Sequence, residues 1–184
     1  MKKTGAFLLV FCLLFSLAAC QPAQNTDGDV AQLRDNWKEH EFLGVTFYLP
    51  DDFTQSNIFA DTDTGRIEFT DAKGIRVLIN VHETAYINQY YKVTVSDAQS
   101  YAQVYYDSHT ADYPTIDVAL SSKHGVPVLR LCGEADGAAQ YGLMGFYYAD
   151  AYCACIALTA QDQDLFTQKQ EMMTNAATVA TFTR

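Results

Sequence analysis

Positive charge is scarce in this chain. Twelve Lys and Arg stand against 22 Asp and Glu, a net charge of −10 over 184 residues. Nucleic acid and anionic bilayer surfaces attract basic proteins, so neither is an expected partner surface. Recurrent catalytic signatures are missing too: no nucleophile-elbow serine, no phosphate-binding glycine loop and no dinucleotide fingerprint. His82-Glu83-Thr84-Ala85-Tyr86 begins like a zinc-protease helix, but Tyr86 stands where the second His belongs. Asp61, Asp63 and Gly65 lack the spacing and the closing Glu of a calcium loop and predict an acidic turn instead. No metal and no cofactor is therefore expected.

Cysteine is also sparse. Of the five, Cys12 and Cys20 lie in the first twenty residues, leaving Cys132, Cys153 and Cys155. Three thiols cannot all pair, and Cys153 and Cys155 are too close in sequence for an easy bridge. Buried free thiols on strands are expected. A nucleophilic Cys132 would need His124 beside it. The expected register turns Cys132 toward Tyr141, and Tyr141 toward Leu158, away from the other two cysteines.

What is present begins with a short positive segment, Lys2 and Lys3, followed by an apolar run from Gly5 to Leu17 and small residues at Ala18 and Ala19. This is the three-part pattern of a secretory signal, and the run is shorter than the about 20 residues a membrane span needs. Leu17-Ala18-Ala19-Cys20 resembles a bacterial lipobox. The resemblance implies a diacylglyceryl group on Cys20 and cleavage just before it. Two acyl chains suffice for stable anchoring. The expected organisation is a signal peptide over 1–19, a lipid-anchored flexible tether over 20–36 and a single domain over 37–184, with residues 30–41 reading as either a short helix or an extension of the tether. The expected location is outside the cytoplasm, on the cell membrane or an outer membrane. In the family's sorting pattern an Asp after the Cys retains the protein on the inner membrane, and Gln21 is not Asp.

The domain alternates strands and turns before it turns helical. Val45, Phe47 and Leu49 share one face of a first strand that ends at Pro50. Further strands are predicted over 53–59, 66–70 and 75–83, with Ile75, Val77, Ile79 and Val81 on one face. Residues 84–94 have no clear period. Ser96 with Gln99 suggests a capping box, and Ala98, Tyr101, Ala102 and Tyr105 give the following helix an apolar stripe. Strands over 115–120, 126–134, 141–148 and 152–159 follow, with a hairpin turn at Asp136-Gly137. The last two strands are apolar on both faces, so both faces must be covered. A final helix begins near Asp162 or Asp164, with Leu165, Met172, Ala176 and Val179 on one stripe. The result is an α+β fold: an antiparallel sheet of about six or seven strands with helices packed on both faces.

Val45-Thr46-Phe47-Tyr48-Leu49-Pro50-Asp51-Asp52-Phe53 resembles the opening of PsbP-like domains, where an apolar strand runs into Pro and an aromatic. The order of elements over 43–183 resembles that group as well. The resemblance implies a PsbP-like α/β/α sandwich and a non-catalytic accessory or binding role, with no shared catalytic residues to carry over.

Three functions follow as expectations. The first is a lipid-anchored binding domain for a protein partner or small ligand. The others are a hydrolase or other enzyme with a loop-built site, and a structural envelope protein. Tyr86, Tyr90 and Tyr91 are the candidate binding residues, because tyrosines supply rigid amphipathic contact area. The same residues could instead pack beneath their loop at the sheet edge.

Overall fold

The computed structural model describes residues 26–135 and 138–184. The first half holds α1 (Thr26–Asn36), β1 (Lys38–Phe42), β2 (Val45–Leu49), β3 (Thr54–Ala60), β4 (Gly65–Thr70), β5 (Arg76–Glu83) and α2 (Thr84–Tyr91). The second half holds α3 (Ala98–Asp112), β6 (Asp117–Lys123), β7 (Val126–Ala135), β8 (Ala138–Ala149), β9 (Tyr152–Ala160), α4 (Gln163–Thr178) and β10 (Thr181–Phe182). The signal peptide, Cys20 and the Asp136-Gly137 turn lie outside the described residues.

Seven antiparallel strands form the main sheet in the order β3-β4-β5-β9-β8-β7-β6. Its alternation separates two cores. Val77, Ile79, Val81, Ala154, Ile156, Leu158 and Leu143 face α4. Leu129, Leu131, Phe146, Cys153 and Cys155 face α3. The two main helices thus cover opposite faces, as the doubly apolar β8 and β9 require. A second sheet, β1-β2-β10, shares the α4 side and adds Phe42, Val45, Phe47 and Leu49 to its core.

Helix α4 approaches β8 so closely that a Cβ on Gly145 would drive into the Ala177 carbonyl oxygen. The buried Tyr147 hydroxyl donates to that same oxygen at 2.7 Å. Phe166, Met173, Ala176 and Ala177 bury the helix, while Leu165 and Met172 are only half-buried. Ala176 and Val179 of the expected stripe are fully buried, and in the first three turns the burial shifts from Leu165 and Met172 to their neighbours Phe166 and Met173. The small side chains Ala176 and Ala177 let the helix backbone reach the sheet.

Local chemistry also corrects the sequence expectations. The cap of α3 is Asp97, whose carboxylate accepts from Ser100 N–H at 2.6 Å, with the Ser100 hydroxyl reaching back to Asp97 N–H. The expected pair of Ser96 and Gln99 is one residue early. Tyr141 pairs with Ala160, and it is Leu143 that meets Leu158. Cys132 does pair with Tyr141, and it lies on the α4 face, opposite Cys153 and Cys155. Thr26–Asn36 form α1, so the segment from residue 30 that reads as either a short helix or more tether begins as helix. Arg34 ties this helix to the body by donating twice to the Val179 carbonyl, at 3.2 and 3.1 Å, with its guanidinium over the Tyr48 ring. The chain that follows α1 is a strand, β1.

Two measurements check these contacts. Gly145→Ala should cost about 3 kcal/mol, at the upper end for overpacking, because a backbone carbonyl cannot rotate out of the way. Urea unfolding reads this directly, and a loss below about 1 kcal/mol would mean that α4 lies further from β8. The second concerns pH. Burial holds the imidazoles of His40 and His82 below their usual range, with Lys38 adding to the effect at His40. His40 stacks on Phe47 at 5.3 Å, and His82 on Tyr86 at 5.8 Å. The unfolded chain then binds protons that the folded chain refuses, so stability is lost as pH falls through the ordinary histidine range. The urea midpoint should drop between about pH 7 and about pH 5, and His40→Phe combined with His82→Phe should flatten that drop. An unchanged slope in the double variant would contradict the assignment.

Candidate functional site

Helix α3 packs on β6, β7 and β8, and α2 rests on the end of β5. On this face, among the described residues, no helix packs across β3, β4 or most of β5. Their side chains match that exposure. Arg66 pairs with Asn80 across β4 and β5, and Asn57 with Glu68 and Phe59 with Arg66 across β3 and β4. The alternate residues of β4 and β5, Ile67, Phe69, Val77 and Ile79, enter the opposite core. This is the period of a half-buried strand, apolar toward the core and polar away from it.

The uncovered face forms a cleft of about 790 Å³, within the range of small-molecule sites. Arg66, Asn80 and His82 line its floor. Phe59 and Asn57 border it along β3, and Glu83 and Tyr86 at the start of α2. Phe59 and Tyr86 are 67% and 53% exposed, far more than rings of that size usually are.

Helix α2 is set by its first residue. Thr84 N–H donates to the Ala151 carbonyl at 2.7 Å, and the Thr84 hydroxyl touches Cys153 Sγ at 3.3 Å. The helix start is thereby pinned to the β8–β9 turn. Ile87, three residues on, is buried, and Tyr91, seven on, packs against α3 through Tyr105 at 5.9 Å. The opposite stripe carries Tyr86 and Tyr90, whose near-parallel rings lie 6.0 Å apart. At the far end, Lys92 takes the left-handed conformation, and the Asn88 side chain accepts from Val95 N–H at 2.8 Å.

The three candidate tyrosines therefore divide. Tyr86 lines the cleft and Tyr90 continues its aromatic edge in solvent, 66% exposed. Tyr91 turns inward and cements α2 to α3, and burial raises its hydroxyl pKa. Of the three, Tyr86 alone lines the open cleft. Phe59, Arg66, Asn80 and His82 complete that site and were not among the candidates. The signal that marks Arg66, Asn80 and His82 is the polar face of β4 and β5.

Charge in the cleft is uneven. Glu68, one pleat further along β4, is held by Arg76 through Nε and Nη2 at 2.9 and 2.7 Å. Arg66 enters no ion pair among the described residues. The cleft thus offers one free guanidinium, two carboxamides and a carboxylate beside exposed rings. Among the described residues, no hydrogen bond joins His82 to a carboxylate or hydroxyl, the arrangement that would prepare it as a general base.

The other candidates separate in space. His124 sits in the β6–β7 turn with φ of 53°, whereas Cys132 lies well along β7. Cys153 and Cys155 are buried, and burial pushes the Cys155 thiol up to about 12. Such thiols are inert packing groups. The Asp61–Gly65 segment is a tight turn closed by Asp61 N–H to the Thr64 carbonyl at 2.9 Å, and Asp63 pairs with Arg184. No described helix is long and apolar enough to cross a membrane.

No protein-family model matches the chain, and no curated protein matches it in sequence. Its architecture does match solved structures. The solution structure of cyanobacterial PsbP (CyanoP) from Synechocystis sp. PCC 6803 aligns with a TM-score of 0.53, over 80% of this chain and 93% of that one, at 10% identity. At that identity the likeness speaks for the fold and leaves the site to be argued from its own residues. The domain is an α+β sandwich with the PsbP fold.

Proposed function

We propose that this chain is an extracytoplasmic lipoprotein, held by lipid on Cys20, whose PsbP-fold domain binds a ligand between β3–β5 and α2 without transforming it. One observation carries the reading. Phe59, Tyr86 and Tyr90 stand in solvent around a cleft whose cation, Arg66, has no ion-pair partner among the described residues. Each aromatic ring buried by a ligand would contribute about 1.5–3 kcal/mol. Proteins rarely leave such rings grouped in water, and contiguous exposed patches mark interaction sites. The resemblance of residues 17–20 to a lipobox supports the anchor, and Gln21 to Asn25 with α1 would separate the lipid from the sheet.

Photocrosslinking in intact cells tests both parts. A benzophenone amino acid at Tyr86 inserts into any nearby C–H bond, whatever the ligand. It should give a light-dependent adduct with an envelope component, whereas the same group at the exposed Gln168 on α4 should not. Cys20→Ala should release the chain from the membrane fraction. Equal adducts from both positions, or none from Tyr86, would count against the cleft. A Cys20→Ala chain that stays with the membrane would count against the anchor.

A further inference from the structure

The geometry points to a saccharide as the ligand of the cleft. This inference rests on the cleft being a binding site and adds what it binds. The lining combines two features that few ligand classes match together. Phe59 and Tyr86 present exposed rings at its borders, while Arg66, Asn80, His82 and Glu83 supply hydrogen-bonding groups.

Other chemistries leave part of that lining unsatisfied. An alkyl chain or sterol would cover the rings but strip water from Arg66 and Glu83 and return no hydrogen bond, which is costly for charged groups. A polyanion such as a nucleoside triphosphate meets a single cation, Arg66, with the Glu83 carboxylate close by and a strongly acidic chain around it. An organic cation would suit the rings and Glu83 but faces Arg66. An extended peptide would find its backbone partners along the free edge of β3, at the rim rather than across the floor.

A sugar ring fits each part. Its hydroxyls both donate and accept, as the lining demands: Arg66 donates, Glu83 accepts, and the Asn80 amide does both. Burial lowers the pKa of His82 and so favours its neutral ring, which offers one donor and one acceptor. The apolar C–H face of a pyranose would rest on the exposed Phe59 ring and against the open edge of Tyr86, whose faces lie beside His82 and Tyr90. A volume of about 790 Å³ exceeds one sugar ring, and the cleft is open rather than enclosed. Tyr90 carries the aromatic edge onward, 6.0 Å beyond Tyr86. These features fit an oligosaccharide chain lying across the cleft better than a monosaccharide sealed inside it.

The test uses the full chain, purified in a detergent without a sugar headgroup. It is applied to an array of chito-, malto-, cello- and xylo-oligosaccharides and, in parallel, to an array of extended peptides. At least one oligosaccharide series should bind. Tyr86→Ala and Arg66→Ala should each weaken that binding by tenfold or more, and Gln168→Ala should leave it unchanged. Both cleft residues are exposed, and unchanged melting temperatures would confirm that the variants fold. Saccharide binding that survives both cleft substitutions would overturn the inference, because the site would lie elsewhere. Peptide binding that Tyr86→Ala weakens, with no saccharide bound, would overturn the ligand class but leave the cleft as the binding site. Silence on both arrays, with crosslinking at Tyr86 also absent, would overturn the inference and the binding reading together.

Discussion

The strands β8 and β9 are apolar on both faces, and this demand for two-sided cover governs the rest of the molecule. One face receives α4, drawn down until the Ala177 carbonyl lies against Gly145 and accepts from Tyr147. The other face receives α3, with Tyr101 and Ala102 fully buried against Phe146, Cys153 and Cys155. One helix of fifteen residues covers only part of a seven-stranded sheet. It lies over β6–β8 and leaves the outer strands on its face without a lid. The second sheet, β1-β2-β10, closes the equivalent region on the α4 face, and among the described residues it has no counterpart on this one.

The cleft follows from that asymmetry. Strands β4 and β5 bury Ile67, Phe69, Val77, Ile79 and Val81 on the closed face and turn Arg66, Glu68, Asn80 and His82 to the open one. Polar groups there keep their water until a ligand replaces it, so the open face costs the fold little. The rings are different. Phe59 and Tyr86 gain nothing from water, and α2 is fixed by Thr84 so that Tyr86 points outward beside the cleft. A saccharide-binding surface is the use of this face that satisfies the rings, the guanidinium and the amides together.

Much of the scaffold can be read from residue periodicity. Tyr152 to Leu158 is apolar at every position, which by itself requires helices on both faces, and the polar alternates of residues 66–82 mark the face left open. What stays hidden depends on tertiary contact. Residues 38–42 have little strand character, with Lys38, Glu39 and Glu41 among five positions, and pair only because β2 offers them an edge. Residues 84–91 lack a broad apolar stripe, since only Thr84 and Ile87 are buried, and they become a helix once Thr84 is tied to the β8–β9 turn. The same contact decides between the three tyrosines. The spacing of Thr84, Ile87 and Tyr91 puts Tyr91 on the inner stripe, but which stripe is inner is fixed by a turn some 65 residues later in the chain. Phe59 escapes notice because an aromatic on an alternating strand normally points into the core, and here β3 is the sheet edge with all seven of its residues exposed.

The account stands or falls on where a ligand touches the sheet. Backbone amide NMR spectra of the chain, titrated with chito-, malto-, cello- and xylo-oligosaccharides, would locate that contact residue by residue. The account predicts shifts at Asn57, Phe59, Arg66, Asn80, His82 and Tyr86, with α4 and the β1-β2-β10 sheet silent. Shifts confined to α4 or the β1-β2-β10 sheet, or spectra that do not change at all, would contradict it.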